Sequence, residues 1–180
     1  MLTCSKLISG GQGLAKALIK RVPTVSLDWD VRQKSRFQVE DSTGRVLSVF
    51  LQRGHVVRGG DVLVADDGSL VCVEAAPQAL LRITTCPQHG TPFDLTRAAY
   101  HLGNRHVPIE LKPDYLQIEP DAVLADMLRS MHLIVNTVDE AFEPEGGAYG
   151  SQHGGSGHSH DNGHDHDHAH VHGPNCKHDH

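Results

Sequence analysis

A chain of 180 residues, 38% hydrophobic and 4% aromatic, can build one domain or two small ones around a modest core. Its formal net charge of −6 argues against nucleic acid as a partner, and no run approaches the roughly 18 apolar residues of a membrane span. Cys4, Cys72, Cys86 and Cys176 form no CxxC pair, which favours reduced thiols; Met1–Ser9 lacks the apolar core of a signal peptide, so the expected compartment is the cytoplasm.

Residues 1–23 carry the weakest pattern, with Ser9-Gly10-Gly11-Gln12-Gly13 ahead of Leu14–Ile19, a run that predicts one or two helical turns. From Thr24 the period becomes two. Val25, Leu27, Trp29 and Val31 alternate with polar residues, and β-like runs follow at Phe37–Val39, Val46–Leu51, Asp61–Val64 and Leu70–Val73. Asp41-Ser42-Thr43-Gly44, Gly59-Gly60-Asp61 and Asp66-Asp67-Gly68 separate them as turns. Short strands, tight turns and almost no helix predict a small all-β, sandwich-like or barrel domain over residues 1–77. Within it Arg32, Lys34 and Arg36 alternate, as a solvated strand face or a docking strip for an acidic partner.

After Pro77 the pattern changes again. Leu80–Thr84 reads as a strand; Thr91 is a plausible N-cap, Pro92 fits the first helical position, and Asp94 lies in the first turn near the positive end of the helix dipole. Leu95, Ala98, Ala99 and Leu102 give this helix an apolar stripe, and Gly103-Asn104 predicts its left-handed stop. Val107–Leu111 and Tyr115–Glu119 read as strands around a Lys112-Pro113-Asp114 turn. Pro120 and Asp121 then open a helix with Val123, Leu124, Met127, Leu128 and Met131 on one face, and Leu133–Val138 is a last strand. The order β-α-β-β-α-β over residues 78–145 is the ferredoxin-like arrangement, making the fold class α+β.

From residue 146 apolar residues all but vanish, and 146–180 is expected to be a disordered tail. It contains ten of the fifteen histidines: His153, His158, His160, His164, His166, His168, His170, His172, His178 and His180. Those from His164 to His172 recur every second residue, so a flexible chain can wrap several around one ion, and Cys176 adds a thiolate option beside His178. In the body, His106 lies in a helix-to-strand connection, where functional residues concentrate. By spacing alone a capping or hydrogen-bonded structural role leads for His106, with metal ligation as the alternative; His101 reads as structural, and His55, His89 and His132 as surface or packing residues. Imidazole, largely neutral at cytosolic pH, coordinates Ni(II), Cu(II) and Zn(II), and the Irving–Williams order means that such a tail cannot by itself select nickel.

Several stretches together resemble the urease accessory nickel metallochaperones of the UreE family. They are Trp29, Arg32-Gln33-Lys34-Ser35-Arg36, Leu51-Gln52-Arg53-Gly54, Gly60-Asp61-Val62-Leu63, Ala98 to Pro108, Phe142-Glu143-Pro144-Glu145 with Gly147-Ala148-Tyr149-Gly150, and the histidine tail. Tyr100-His101-Leu102-Gly103-Asn104-Arg105-His106-Val107-Pro108 is the most specific of them. The resemblance implies a homodimer joined through the ferredoxin-like domains, with His106 of each subunit sharing a metal at the dimer axis. It also implies partnership with an accessory GTPase, delivery to apo-urease and its accessory complex, and a peptide-binding-like N-terminal domain. Where some relatives carry a His-x-His pair before the second helix, this chain reads Glu119-Pro120-Asp121-Ala122-Val123. The cargo implied is Ni(II), with Zn(II) or Cu(II) binding possible in vitro.

Neither HExxH, a nucleophile elbow nor a GxxxxGK[ST] loop occurs, so the chain is expected to be neither an enzyme nor its own GTPase. The leading expectation is a carrier that captures Ni(II) and hands it to the urease assembly. The alternative is a histidine-rich nickel or zinc buffer in which the tail does all the binding.

Overall fold

Residues 2–146 are described by the structure, a computed structural model, and they form two sheets. The first contains β1 (Leu2–Ile8), β2 (Thr24–Leu27), β3 (Arg36–Glu40), β4 (Val46–Phe50), β5 (Val62–Ala65) and β6 (Leu70–Ala75), in the order β2-β6-β5-β1-β4-β3. One-turn helices α1 (Lys16–Ile19) and α2 (Trp29–Arg32) flank β2. Residues from both edges of the sheet, Val25 and Leu27 at one side and Phe37 and Val39 at the other, join a single apolar cluster around Leu47, Val49, Leu63 and Val71.

Two expectations change here. The strand β1, which the sequence pattern does not reveal, is central: it runs parallel to β4 and antiparallel to β5, with a register shift between Cys4 and Lys6. That irregularity removes the strict alternation by which a strand is read. The alternation from Val25 to Val31 is not one strand either. The Asp28 carboxylate accepts the Val31 N–H at 2.8 Å, so the chain leaves β2 after Leu27 and turns into α2, which buries both Trp29 and Arg32.

A single residue, Ala76, separates β6 from the second sheet, and its N–H donates to the Leu27 carbonyl at 2.8 Å. The second sheet contains β7 (Pro77–Thr84), β8 (Glu110–Leu111), β9 (Leu116–Ile118) and β10 (Ile134–Ala141), with α3 (Pro92–Gly103) and α4 (Ala122–Ser130) between them. The order β10-β7-β9-β8, antiparallel throughout, with the element order β-α-β-β-α-β, is the ferredoxin-like topology. Its helices pack on Ile83, Leu116 and Ile118 through Leu95, Ala98 and Leu102 of α3 and Ala125 and Leu128 of α4. Each fully buried leucine or isoleucine there contributes about 1.5–3 kcal/mol. Met127 and Met131 pack against this core as expected, but Val123 does not: it is 78% exposed, on the side of α4 away from it. The strand expected over 107–111 shrinks to Glu110–Leu111 because Pro108 has no N–H and the Val107 N–H is used by the preceding helix end.

The described residues thus have an α+β fold, and no helix among them is long and apolar enough to cross a membrane. The expected disordered tail over 146–180, with its ten histidines and Cys176, lies outside the described residues apart from Gly146.

Candidate metal centre

Helix α3 opens as its sequence requires. The Asp94 carboxylate accepts the Thr91 N–H at 2.8 Å and the Thr91 hydroxyl at 3.1 Å, with Pro92 at the first helical position. These hydrogen bonds from Thr91, with help from Arg97 and His132, outweigh a weak burial effect and hold the Asp94 carboxyl below the ordinary range.

The other end departs from expectation in an informative way. Gly103 is the last residue of the helix, Asn104 keeps a right-handed φ of −63°, and the left-handed residue is His106 itself, at φ 57°. The His106 N–H donates to the Gly103 carbonyl at 2.9 Å and the Val107 N–H to the Leu102 carbonyl at 3.2 Å, the paired bonds of a Schellman cap. Such a cap places an apolar residue directly after its left-handed one. That residue is Val107, half-buried against the cluster containing Leu102, so the chain reverses at His106. The imidazole therefore belongs to an exposed residue in the position a helix normally gives to glycine. His132 closes α4 in the same way, at φ 63° with its N–H on the Arg129 carbonyl at 2.9 Å, so the strained cap marks His106 only together with its place in the Tyr100–Pro108 stretch.

Around it, His101 is half-buried with its ring 5.4 Å from that of Tyr100, and its carbonyl accepts from the Arg105 guanidinium at 3.2 Å. Tyr100 and Phe93 lie seven residues apart on one face of α3, and they are 66% and 65% exposed.

The residues after His106 are tied to those just before the tail. The Ile109 carbonyl accepts the Glu145 N–H at 2.8 Å, and the buried Glu110 carboxylate accepts the Glu143 N–H at 2.7 Å while pairing with Lys112 at 2.9 Å. The Glu143 carboxylate in turn takes Arg32 at 2.7 Å, the Gly59 N–H at 2.8 Å and Arg58 at 3.2 Å. Arg32 is fully buried; its remaining donors reach the Leu27 and Phe142 carbonyls, and Arg58 reaches the Pro144 carbonyl at 2.6 Å. Burial pulls the Arg32 guanidinium below its ordinary value, opposed chiefly by Glu143. Both guanidiniums lie over the Trp29 ring, 5.3 and 5.1 Å from its centroid, and that ring is edge-on to Phe142. This clamp pins the root of the tail beside the strand that leads from His106. Ile109 is three positions after His106, at most about 10 Å of chain.

The clamp also corrects one reading: Arg32 belongs neither to a solvated strand face nor to a docking strip with Lys34 and Arg36, because it is in α2, fully buried and turned inward to Glu143. Trp29, Arg32 and Phe142-Glu143-Pro144-Glu145 stand out in the sequence as separate motifs, and nothing in their spacing shows that they are one cluster. Their separation of about 110 positions is bridged only by the fold. Of the expected metal ligands, His106 lies within the described residues; His153, His158, His160, His164, His166, His168, His170, His172, Cys176, His178 and His180 do not. No group of three or more His, Cys, Asp or Glu side chains suited to a metal converges among the described residues.

Two family models match in tandem, the N-terminal domain of the UreE urease accessory protein over residues 5–76 and its C-terminal domain over residues 78–180. The chain belongs to the UreE family. The urease accessory protein UreE of Albidiferax ferrireducens is 69% identical over 180 residues, covering 100% of both chains. That of Paracidovorax citrulli is 75% identical over 149 residues, 83% of this chain and 71% of the relative, and that of Burkholderia ambifaria is 48% identical over 161 residues, 89% and 76%. Membership makes the chain an accessory protein of urease maturation, not an enzyme.

Proposed function

We propose that this chain captures Ni(II) as cargo and delivers it, with the accessory GTPase, to apo-urease during assembly of the urease active site. The observation that carries this reading is His106, an exposed imidazole held in a glycine-type left-handed cap at the end of α3. One imidazole is too few for a firm site, so the ligand set is completed by His106 of a second subunit in a homodimer. The aromatic face of α3, Phe93 and Tyr100, is the surface offered for that contact. A site with open positions suits a carrier, because an acceptor's ligands enter before the donor's leave.

The tail is the capture arm. Its ten histidines and Cys176 gather ions without choosing among Ni(II), Zn(II) and Cu(II), and its root at Glu143–Glu145 starts beside the His106 strand. Three segments then carry three roles, with residues 1–77 as a sandwich-like, peptide-binding-like module for partners, 78–145 for metal and dimer, and 146–180 for capture. Free Cys4 and Cys72 are buried or half-buried thiols that fit a reducing cytoplasm.

The test is nickel calorimetry with mass determination on the full chain, on a chain lacking residues 151–180, and on that shorter chain with His106→Ala. The expected result is one Ni(II) shared by two subunits of the shortened chain, lost on substitution. If shortening removes all binding, the tail is a store and the carrier reading falls.

A further inference from the structure

Among the described residues outside the His106 region, a close meeting of soft metal donors occurs in the turn between β7 and α3. Cys86 Sγ lies 3.9 Å from His89 Nδ1 and 3.3 Å from Gln88 Oε1. The turn is closed by the Gly90 N–H donating to the Cys86 carbonyl at 2.7 Å. Only glycine permits this closure: a Cβ on residue 90 would stand 2.6 Å from the Cys86 carbonyl oxygen and 2.7 Å from its nitrogen. The backbone thus folds His89 back onto Cys86. Pro87 to Gly90 are exposed and Cys86 is half-buried, so the pair is open to solvent.

We infer that Cys86 and His89 form a second metal site, an S,N chelate for a borderline-soft divalent ion such as Zn(II), Co(II) or Ni(II). A tetrahedral ion with a metal–sulfur bond of about 2.3 Å and a metal–nitrogen bond of about 2.1 Å needs its two donors about 3.6 Å apart. The 3.9 Å found here is reached from that value by a small ring rotation. On binding, the thiol gives up its proton to solvent, sulfur and imidazole nitrogen donate to the ion, and water fills the remaining positions. Two protein donors make the site labile, not structural.

The site is distinct from His106. The twelve residues of α3 separate the two, about 18 Å of helix rise, so one metal cannot use both within a subunit. Nothing in this inference depends on nickel delivery through His106, and the two are tested separately.

The test uses the full chain with Cys176→Ser, which removes the tail thiol, and Co(II) alone as the probe. The expected results are a sulfur-to-cobalt charge-transfer band in the near ultraviolet and slower alkylation of Cys86 with metal than without, read by peptide mass spectrometry. Cys86→Ser should abolish the band, and His89→Ala should lose most of the metal-dependent protection of Cys86. Both positions are in a surface turn, and circular dichroism checks that the variants fold. A band absent from the Cys176→Ser chain, equal alkylation of Cys86 with and without Co(II), or protection unchanged by His89→Ala would each overturn the site.

Discussion

His106→Gly should make the metal-free protein more stable while removing its proposed ligand. At φ 57° a residue with a Cβ carries about 1–2 kcal/mol of left-handed strain. Glycine relieves it but adds about 0.5–1 kcal/mol of conformational freedom to the unfolded chain. The two cap hydrogen bonds come from the backbone N–H groups of residues 106 and 107, so they survive the change. The net expectation is a gain of about 0.5–1 kcal/mol, or roughly 1–4 °C in melting temperature for a chain of this size. His106→Ala is the control: it removes the same imidazole but keeps the Cβ and its strain, and should not be stabilised. Urea denaturation in the presence of chelator gives the comparison, read as a shift in midpoint at constant slope. A glycine variant no more stable than the alanine variant would refute the argument that a metal ligand occupies a glycine position at the expense of stability.

Glu143→Ala strands the fully buried Arg32 guanidinium and should cost about 3 kcal/mol, toward the lower end for a broken buried pair because Glu143 is itself 32% exposed. A loss below about 1 kcal/mol in urea unfolding would place the clamp among ordinary surface ion pairs. Burial opposes the charge on Asp41, but hydrogen bonds from the Thr43 hydroxyl and N–H and from the Arg45 N–H and guanidinium outweigh it and depress its pKa. A depressed carboxyl contributes stability above its unfolded value, near 3.9, and loses it as pH falls from there through the folded value. Asp41→Asn should therefore flatten the acid limb of stability below about pH 4, and an unchanged acid limb would count against this account. Gly90→Ala should cost about 1–3 kcal/mol by forcing a Cβ into the Cys86 backbone, and wild-type melting would show that the turn is looser than described. If the proposed dimer forms through this face, Phe93→Asp with Tyr100→Asp should yield a monomer in light scattering with little change in subunit fold, since both side chains are about two-thirds exposed; a mass equal to that of the unsubstituted chain would count against this face as the contact.

Much of the second sheet was legible because its signals are local. Thr91, Pro92 and Asp94 mark a helix start whatever surrounds them, and the spacing of Leu95, Ala98 and Leu102 names the buried face of α3. The imidazole at residue 106 and the histidines beyond 153 were visible as chemistry for the same reason, as donors in the sequence itself. Other features depend on residues far apart in the chain. β1 is a strand because β4 and β5 lie on either side of it, and its own alternation is broken at the register shift after Cys4. Arg32 is a buried clamp because α2 turns it toward Glu143, 111 positions away; by spacing it looked like one of three exposed charges. The left-handed residue after α3 is His106 and not Gly103 or Asn104 because Val107 packs on the core, a tertiary contact that outweighs glycine's intrinsic preference for left-handed backbone. Residue chemistry and short-range periodicity are thus properties of the sequence alone. Where the left-handed turns fall, which arginine is buried, and where the tail is rooted were decided by packing between segments that only the tertiary structure brings together.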